Sequence, residues 1–382
     1  MAEWSLREDV VEKDYVLGWL LAAVAADDEL SRSWIFKGGT CLRKCYYETY
    51  RFSEDLDFTV IDGGPEAPDD LVPIFERVGA WLADTAGIEI EIDDRSFQQK
   101  SNRRGNPTTL GKIGFRGPRN PRQLSKVKLD LTSDERVVDA AVMRGIHHPY
   151  SDDPLPVDGV SCYSITDLLA EKLRALAERC RPRDLYDVVH VHRHAELVEK
   201  PQVVLEALVA KCEFVGIAVP DANTIRASQF VAEIEQEWGN MLAHQLPHLP
   251  PFEDFWGELD GVFAWLTSSS PIPELPTAEL GANLDPTWRA PRAFGLWGGG
   301  RALDLIRFAG ANRLLVEIDY QAANGRWGPR VVEPYSLRMT KDGNVLLFVI
   351  NDSGYLRGYR VDRIRGARVT DQSFQPRFHV EF

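Results

Sequence analysis

An α/β chain, in the α+β arrangement, is what three features of the sequence predict: a core with a mixed sheet, a helical part after it, and a separate small β module. Short strand-like runs alternate with helical stretches through the first half. The length of 382 residues exceeds one ordinary domain, and an apolar fraction of 44% permits real cores. After a Pro-, Gly- and Ser-rich stretch at 268–300, read as a linker, strand-like runs separated by NG, DG and SG turns predict a small barrel or rolled sheet over 301–382.

The elements follow in order. Ser5 to Ala26 places Val10, Val11, Val16, Leu17, Leu20, Leu21 and Val24 near helical spacing, with Ser5 as N-cap. This helix is expected behind the sheet. A strand at 33–37, a helix at 40–48 and a strand at 55–61 come next, then the breaker DGGPEAPDD and a helix at 70–86. Ile88 to Ile92, Thr109 to Arg116 and Ser125 to Thr132 read as strands, divided by the turns RGNP and RGPRNP. In 163–190, Thr166 or Asp167 is expected to cap a helix whose buried stripe is Leu168, Leu169, Leu173 and Leu176. Residues 199–213, 224–245 and 252–268 read as helices, with Trp238, Phe252, Phe255 and Trp256 as packing anchors. In the tail, a short helix at 301–310 precedes strands at 314–320, 330–339, 345–351 and 356–361.

Some classes are disfavoured. No run of about 18 apolar residues occurs, and Met1 to Asp9 already carries charges, so neither a membrane span nor a secretory signal is expected. The expected compartment is the cytoplasm. The five cysteines (Cys41, Cys45, Cys162, Cys180, Cys212) contain no CxxC pair, and Cys41 and Cys45 at i, i+4 read as small core residues rather than a disulfide or zinc site. His190, His192, His194, His244 and His248 lack convincing ligand spacing.

Chemistry concentrates in 37–58, KGGTCLRKCYYETYRFSEDLDF. Gly38, Gly39 and Thr40 stand where an apolar strand gives way to a helix, so free N–H groups and a hydroxyl can face a polyphosphate. Asp55 and Asp57, at i, i+2 in a strand, point the same way and can share a hard divalent cation. Alone, a GGT is more often a turn and a DxD more often a solvated strand end; their ordered combination favours a magnesium–nucleotide site. In KVKLDLT, Val127, Leu129 and Leu131 take one face, leaving Lys128, Asp130 and Thr132 on the other. Lys172 lies within the leucine stripe of its helix, where its amine needs an anion: a triphosphate, a local carboxylate or the solvent at the surface.

Net charge is −14, against nucleic-acid binding by the whole surface. Yet residues 95–128 hold ten basic residues and no acidic one: Arg95, Lys100, Arg103, Arg104, Lys112, Arg116, Arg119, Arg122, Lys126 and Lys128. In an acidic chain, such a run favours a polyanion partner over a merely solvated face.

The glycine pair, the hydroxyl-led helix and RFSEDLDF together resemble the polymerase-β-like nucleotidyltransferases, and among them the AbiEii/AbiGii toxins, a group that includes the MenT toxins. The resemblance spans nearly all of the first 265 residues, and KLDLT matches the family's later strand carboxylate. It implies Mg²⁺ (or Mn²⁺) on Asp55, Asp57 and Asp130, with Asp130 assisting deprotonation, and triphosphate binding by Gly38, Gly39, Thr40 and Ser53. Lys172 and Arg183, Asp184, Asp187 match the family's lysine and RDxxD motif. The implied roles are phosphate neutralisation by Lys172 and Arg183, with Asp184 and Asp187 orienting Lys172, Arg183 or Arg179. A short fourth family motif has no identifiable counterpart. The tail resembles WYL domains, which are small Sm/SH3-like barrels, through LLVEIDYQ, RVVEPYSL and LRGYRVDRI, although the namesake Trp-Tyr-Leu position reads Val345, Leu346, Leu347. The implied ligand site comprises Tyr320, Arg330, Arg357, Tyr359, Arg360 and Arg363, with Asp362 as internal partner.

The resemblance thus implies a toxin of a toxin–antitoxin or phage-defence system that moves NMP from an NTP to RNA, at the tRNA 3′ end, under a regulatory module. The basic run 95–128 agrees with an RNA acceptor. Two other classes stay open: a protein nucleotidylyltransferase using the same carboxylates, and a non-catalytic ligand or nucleic-acid sensor built on the tail.

Overall fold

The computed structural model describes residues 8–119, 124–152, 155–198, 200–268, 275–278, 283–290 and 300–382. The expected cap Ser5, the basic Arg122 and part of the 268–300 stretch lie outside them. The described residues divide into two compact units, one ending at Ile234 and the other running from Glu235 to Phe382.

The first unit is built on a mixed sheet, eight-stranded among the described residues. Its strands are β1 (Trp34–Lys37), β2 (Asp55–Val60), β3 (Glu89–Glu91), β4 (Phe97–Ser101), β5 (Pro107–Arg116), β6 (Ser125–Thr132), β7 (Val142–Arg144) and β8 (Val160–Cys162). Their order is β3-β5-β6-β2-β1-β8-β7, with β4 also on β5. The β2–β6 and β1–β8 pairs are parallel and the others antiparallel. Three strands, β4, β7 and β8, are not among the sequence-predicted ones. Each is short, and FQQKS in β4 buries only Phe97, so no alternation marks it.

Helix α1 (Glu8–Ala26) packs on β6, β8 and α4 (Pro68–Ala86), as a helix behind the sheet should. Pro68 opens α4, and Gly87 closes it in the left-handed conformation at φ 65°. Between α2 (Leu30–Ser33) and β2, the expected helix 40–48 is a single α turn, α3 (Gly38–Cys41), running into a π-helical turn, Leu42–Tyr46. The wide turn leaves Arg43 and Lys44 buried against Asp14 of α1, at 2.7 and 2.9 Å.

Helix α5 (Ile165–Arg179) buries Leu168, Leu169, Leu173 and Leu176, each worth about 1.5–3 kcal/mol of transfer free energy. Its cap is neither Thr166 nor Asp167 but Ser164, whose extended backbone lets the hydroxyl accept from the Asp167 N–H at 3.1 Å. The Asp167 carboxylate instead accepts the Val138 N–H at 3.0 Å and meets Lys211 at 3.3 Å. Helices α6 (Pro182–Arg193) and α7 (Pro201–Val215) pack beside α5, and α8 (Ala222–Arg226) and α9 (Val231–Gln236) follow. The expected helix 224–245 is therefore broken. Ile225 would lie across a continuous helix from Ile234 and Trp238, yet all three are buried.

The second unit holds α10 (Trp238–Leu242), α11 (Phe252–Gly257), α12 (Leu259–Thr267) and α13 (Gly300–Ala311) with an antiparallel sheet. Strands β9 (Leu314–Gln321), β10 (Trp327–Met339), β11 (Val345–Asn351), β12 (Leu356–Arg360) and β13 (Ile364–Ser373) lie in the order β12-β11-β10-β9-β13. Parts of the stretch read as a linker pack on this sheet. Ala278 is buried in a cluster with Tyr335, Phe348, Ile350 and Phe374, and Leu284 bridges to Thr340. These two apolar side chains anchor a segment whose composition otherwise reads as spacer.

Candidate active site

Strand register assembles the carboxylates. On parallel neighbours, Asp57 is the partner of Asp130 and Asp55 of Lys128, while on the other side Asp57 faces Lys37 of β1. Strand alternation puts Lys37, Asp55, Asp57 and Asp130 on one face, opposite the buried Leu56, Leu129 and Leu131. Burial and the Asp130 carboxylate raise the Asp57 carboxyl to about 7, with Asp55 adding to the effect and Lys37 opposing it. Asp130 is raised too, chiefly by burial. Its Oδ1 accepts the Thr108 hydroxyl at 3.3 Å. Asp55 Oδ1 accepts no hydrogen bond, and its cationic neighbour, Lys128 Nζ, stands 3.7 Å off. Three carboxylates on one sheet face, one with an orphaned acceptor, supply the oxygen donors that a hard divalent cation takes.

The glycine turn is shaped to this cluster. Gly38 has φ +79°, and a Cβ there would lie 2.1 Å from Asp57 Oδ2. A Cβ on Gly39 would meet Arg51 at 2.6 Å and Ser53 Oγ at 3.1 Å, so Ser53 lines the same turn. Thr40 is fully buried, and its hydroxyl donates to the Asp55 carbonyl oxygen. It thereby ties α3 to the strand bearing both aspartates.

Asp187 of α6 is a hub. Fully buried, it accepts Arg51 Nε and Nη2 at 2.7 and 2.8 Å, Lys172 Nζ at 2.8 Å and the Tyr50 hydroxyl. Burial favours its neutral form, but Arg51 and Lys172 outweigh that and hold the carboxyl well below the usual range. Asp184 pairs instead with Arg179, through two bonds of 2.7 Å. Arg183 is left differently: its buried Nε has no acceptor, and burial and Arg51 push its pKa down.

Several site groups were not evident from sequence. Lys37 lies 3.6 Å from both Glu135 and Glu171; burial acts against its charge, but these two carboxylates hold its pKa above the ordinary value. Burial pushes Glu171 up, yet Lys37, Lys211 and Arg174 bring it down to about 2. Arg51, two residues before Ser53, is another such group. The only signal for either cation was its adjacency to the GGT and SEDLD motifs.

The basic run divides. Lys112 is the register partner of Lys128, and with Lys126 and Lys100 they occupy the sheet face that bears Asp130. Others meet acids from outside the run: Arg104 meets Asp134 at 2.5 Å and stacks on Phe214 at 4.2 Å. Arg116 lies near Glu89 and Glu91, and Arg119 near Glu8 and Glu12. Arg95 and Arg103 are exposed.

In the second unit, Tyr320 packs edge-on against Tyr359 at 4.6 Å, with Arg330 and Arg357 in electrostatic range of Tyr359. Arg357 also stacks on Tyr355 at 5.5 Å. Arg360 is engaged by Asp362 at 2.6 Å, and Arg363 sits in the helical turn after β12. Leu347, in the namesake tripeptide position, is buried in β11.

Known proteins supply a comparison. The family model for the nucleotidyl transferase AbiEii toxin of type IV toxin–antitoxin systems matches residues 19–258, more than half of the chain. The WYL-domain model matches residues 301–369. No curated protein matches. Among solved structures, MenT4, the nucleotidyltransferase toxin from Mycobacterium tuberculosis H37Rv, is 18% identical, covering 69% of this chain and 85% of that one with a TM-score of 0.47. The proteasome accessory factor B/C of Arthrobacter aurescens is 10% identical, covering 97% and 73%, with a TM-score of 0.20. The chain thus belongs to the AbiEii nucleotidyltransferase toxin family and carries a WYL domain toward its C-terminal end.

Proposed function

We propose that the protein transfers NMP from an NTP to an RNA acceptor, at the tRNA 3′ end, and that it requires Mg²⁺ or Mn²⁺. The observation that carries this reading is the parallel register that sets Asp57 beside Asp130, with Asp55 on the same sheet face. These three residues would hold the metal, which supplies charge neutralisation at the triphosphate. The acceptor hydroxyl oxygen forms a bond to the α-phosphorus, the bond to the β-phosphate breaks, and pyrophosphate leaves. The hydroxyl proton passes to Asp130, whose carboxyl burial raises above its ordinary value. Lys172 and Arg183 neutralise the triphosphate. Arg183 gains an acceptor for its orphaned Nε, and Asp187 holds Lys172 and Arg51 in place. Gly38 and Gly39 let the backbone approach the nucleotide, while Ser53 and Thr40 set the edge of the turn.

Lys100, Lys112, Lys126 and Lys128 form the track along which RNA phosphates reach Asp130, with Arg103 beside it. The WYL domain senses a ligand through Tyr320, Arg330 and Arg357 and regulates the transfer, and a cognate antitoxin restrains it. We propose the first domain as 1–267 and the regulatory one as 301–382. The test is incubation of purified protein with Mg²⁺, each labelled NTP in turn and total RNA, then a gel resolving RNA from protein. Label in a tRNA-sized band, lost in Asp55→Ala, is expected. Label in protein moves the acceptor to a side chain, and no difference between wild type and Asp55→Ala overturns the assignment.

A further inference from the structure

Beside the helix that carries the glycine turn, three thiols converge from distant parts of the chain. Cys41 of α3, Cys45 of the π-helical turn and Cys162 of β8 bring their sulfurs within 4.8 Å of one another. All are free thiols; Cys41 and Cys162 are fully buried, and Cys45 is partly exposed. Read from sequence, Cys41 and Cys45 are only a helical i, i+4 pair. The third sulfur arrives because β8 lies parallel to β1, with Cys162 opposite Phe36, two residues before the glycine turn.

We propose that Cys41, Cys45 and Cys162 form a binding site for one divalent thiophilic ion of the zinc class, with solvent as its fourth ligand. Sulfur–metal bonds of about 2.3 Å put thiolates about 3.8 Å apart around a tetrahedral ion, so the sulfurs must close by roughly 1 Å at most. Side-chain rotation of two residues on a short helical segment supplies that. Three thiolates select soft over hard ions, which separates this site from the all-oxygen cluster of Asp55, Asp57 and Asp130. Charge also balances. Three thiolates and a divalent ion leave one negative charge, and Arg144 stands within electrostatic range of Cys45 and Cys162, its guanidinium 4.5 Å above the Tyr46 ring. Entry is on the Cys45 side, and each thiol releases its proton to solvent as it binds. The bound ion fastens the π-helical turn, and with it the segment after Gly38–Gly39–Thr40, to β8.

The test is titration of the reduced, full-length protein with Cd²⁺, followed by the ultraviolet thiolate-to-metal charge-transfer band. A band saturating at about one equivalent is expected, displaced by Zn²⁺ but not by excess Mg²⁺. It should disappear in Cys162→Ser and persist in Cys180→Ser, Cys212→Ser and Asp55→Ala. Thermal melts should rise with Cd²⁺ or Zn²⁺ in wild type alone among the pair wild type and Cys162→Ser. Should Cys162→Ser not fold, Cys45→Ser at the partly exposed position makes the same comparison. Absence of a band at stoichiometric Cd²⁺, or a band unchanged when either cysteine is replaced, overturns the site and leaves the thiols as core packing.

Discussion

Asp57 and Asp130 are register partners on two parallel strands, and their carboxylates crowd one face of the sheet. Ligand-free, this arrangement stabilises a proton on Asp57, raised from 3.8 to about 7. The folded state then binds more protons than the unfolded one between those values, so stability falls as pH rises through that window and levels off above it. Replacing Asp57 by Asn removes the penalty. Ligand-free Asp57→Asn should melt higher than wild type at pH 8, with the gap narrowing at pH 5, while nucleotide transfer drops on the order of a thousandfold. A variant that melts lower at pH 8 counts against the crowding.

Asp187 behaves oppositely. Its depressed pKa makes its contribution complete above the ordinary carboxylate range and lost on acidification. Asp187→Ala strands Arg51 and Lys172 without their shared carboxylate, and urea unfolding should show a loss of about 3–5 kcal/mol. Asp184→Ala frees an arginine that is 45% exposed and should cost far less.

The lysine track makes a prediction about salt. Lys112→Gln and Lys126→Gln should each lower the slope of log affinity for RNA against log salt by about one. Arg104→Gln should leave the slope unchanged and lower the melting temperature, because its partners are Asp134 and Phe214. Filter binding across a salt series separates the two behaviours.

Gly38→Ala places a methyl against Asp57 Oδ2 in a left-handed backbone, which costs about 1–2 kcal/mol from the conformation alone. The expected result is a folded protein by circular dichroism with transfer reduced more than about tenfold. A wild-type rate would mean the turn has room that the carboxylate does not need.

Much of this site was legible in local pattern. Alternation in KVKLDLT put Asp130 on the polar face, and the i, i+2 spacing put Asp55 with Asp57; both follow from strand geometry alone. What joins them is not local. The parallel pairing of β2 with β6 depends on a crossover through α4 and three further strands, and no residue in either strand announces it. The same distance hid the partner of Lys172, which sequence left open among a triphosphate, a carboxylate and solvent, and which is Asp187 of the next helix. It also hid the acids that meet Arg104, Arg116 and Arg119, since Asp134, Glu89, Glu91 and Glu12 all lie outside the run that looked uniformly basic. Ser164 was missed as a cap because Thr166 and Asp167, equally suitable by type, stand inside the first turn.

The crossover between β2 and β6 also divides the chain into places where length is free and places where it is not. One residue added within Ser125–Thr132 would turn Asp130 toward the core and Leu131 toward the carboxylate face, silencing the site and burying a carboxylate without a partner. One residue added at the Asn102–Asn106 turn would instead leave the phase of both strands intact and be felt locally, through the contacts of Asn102 and Arg104 with Asp134.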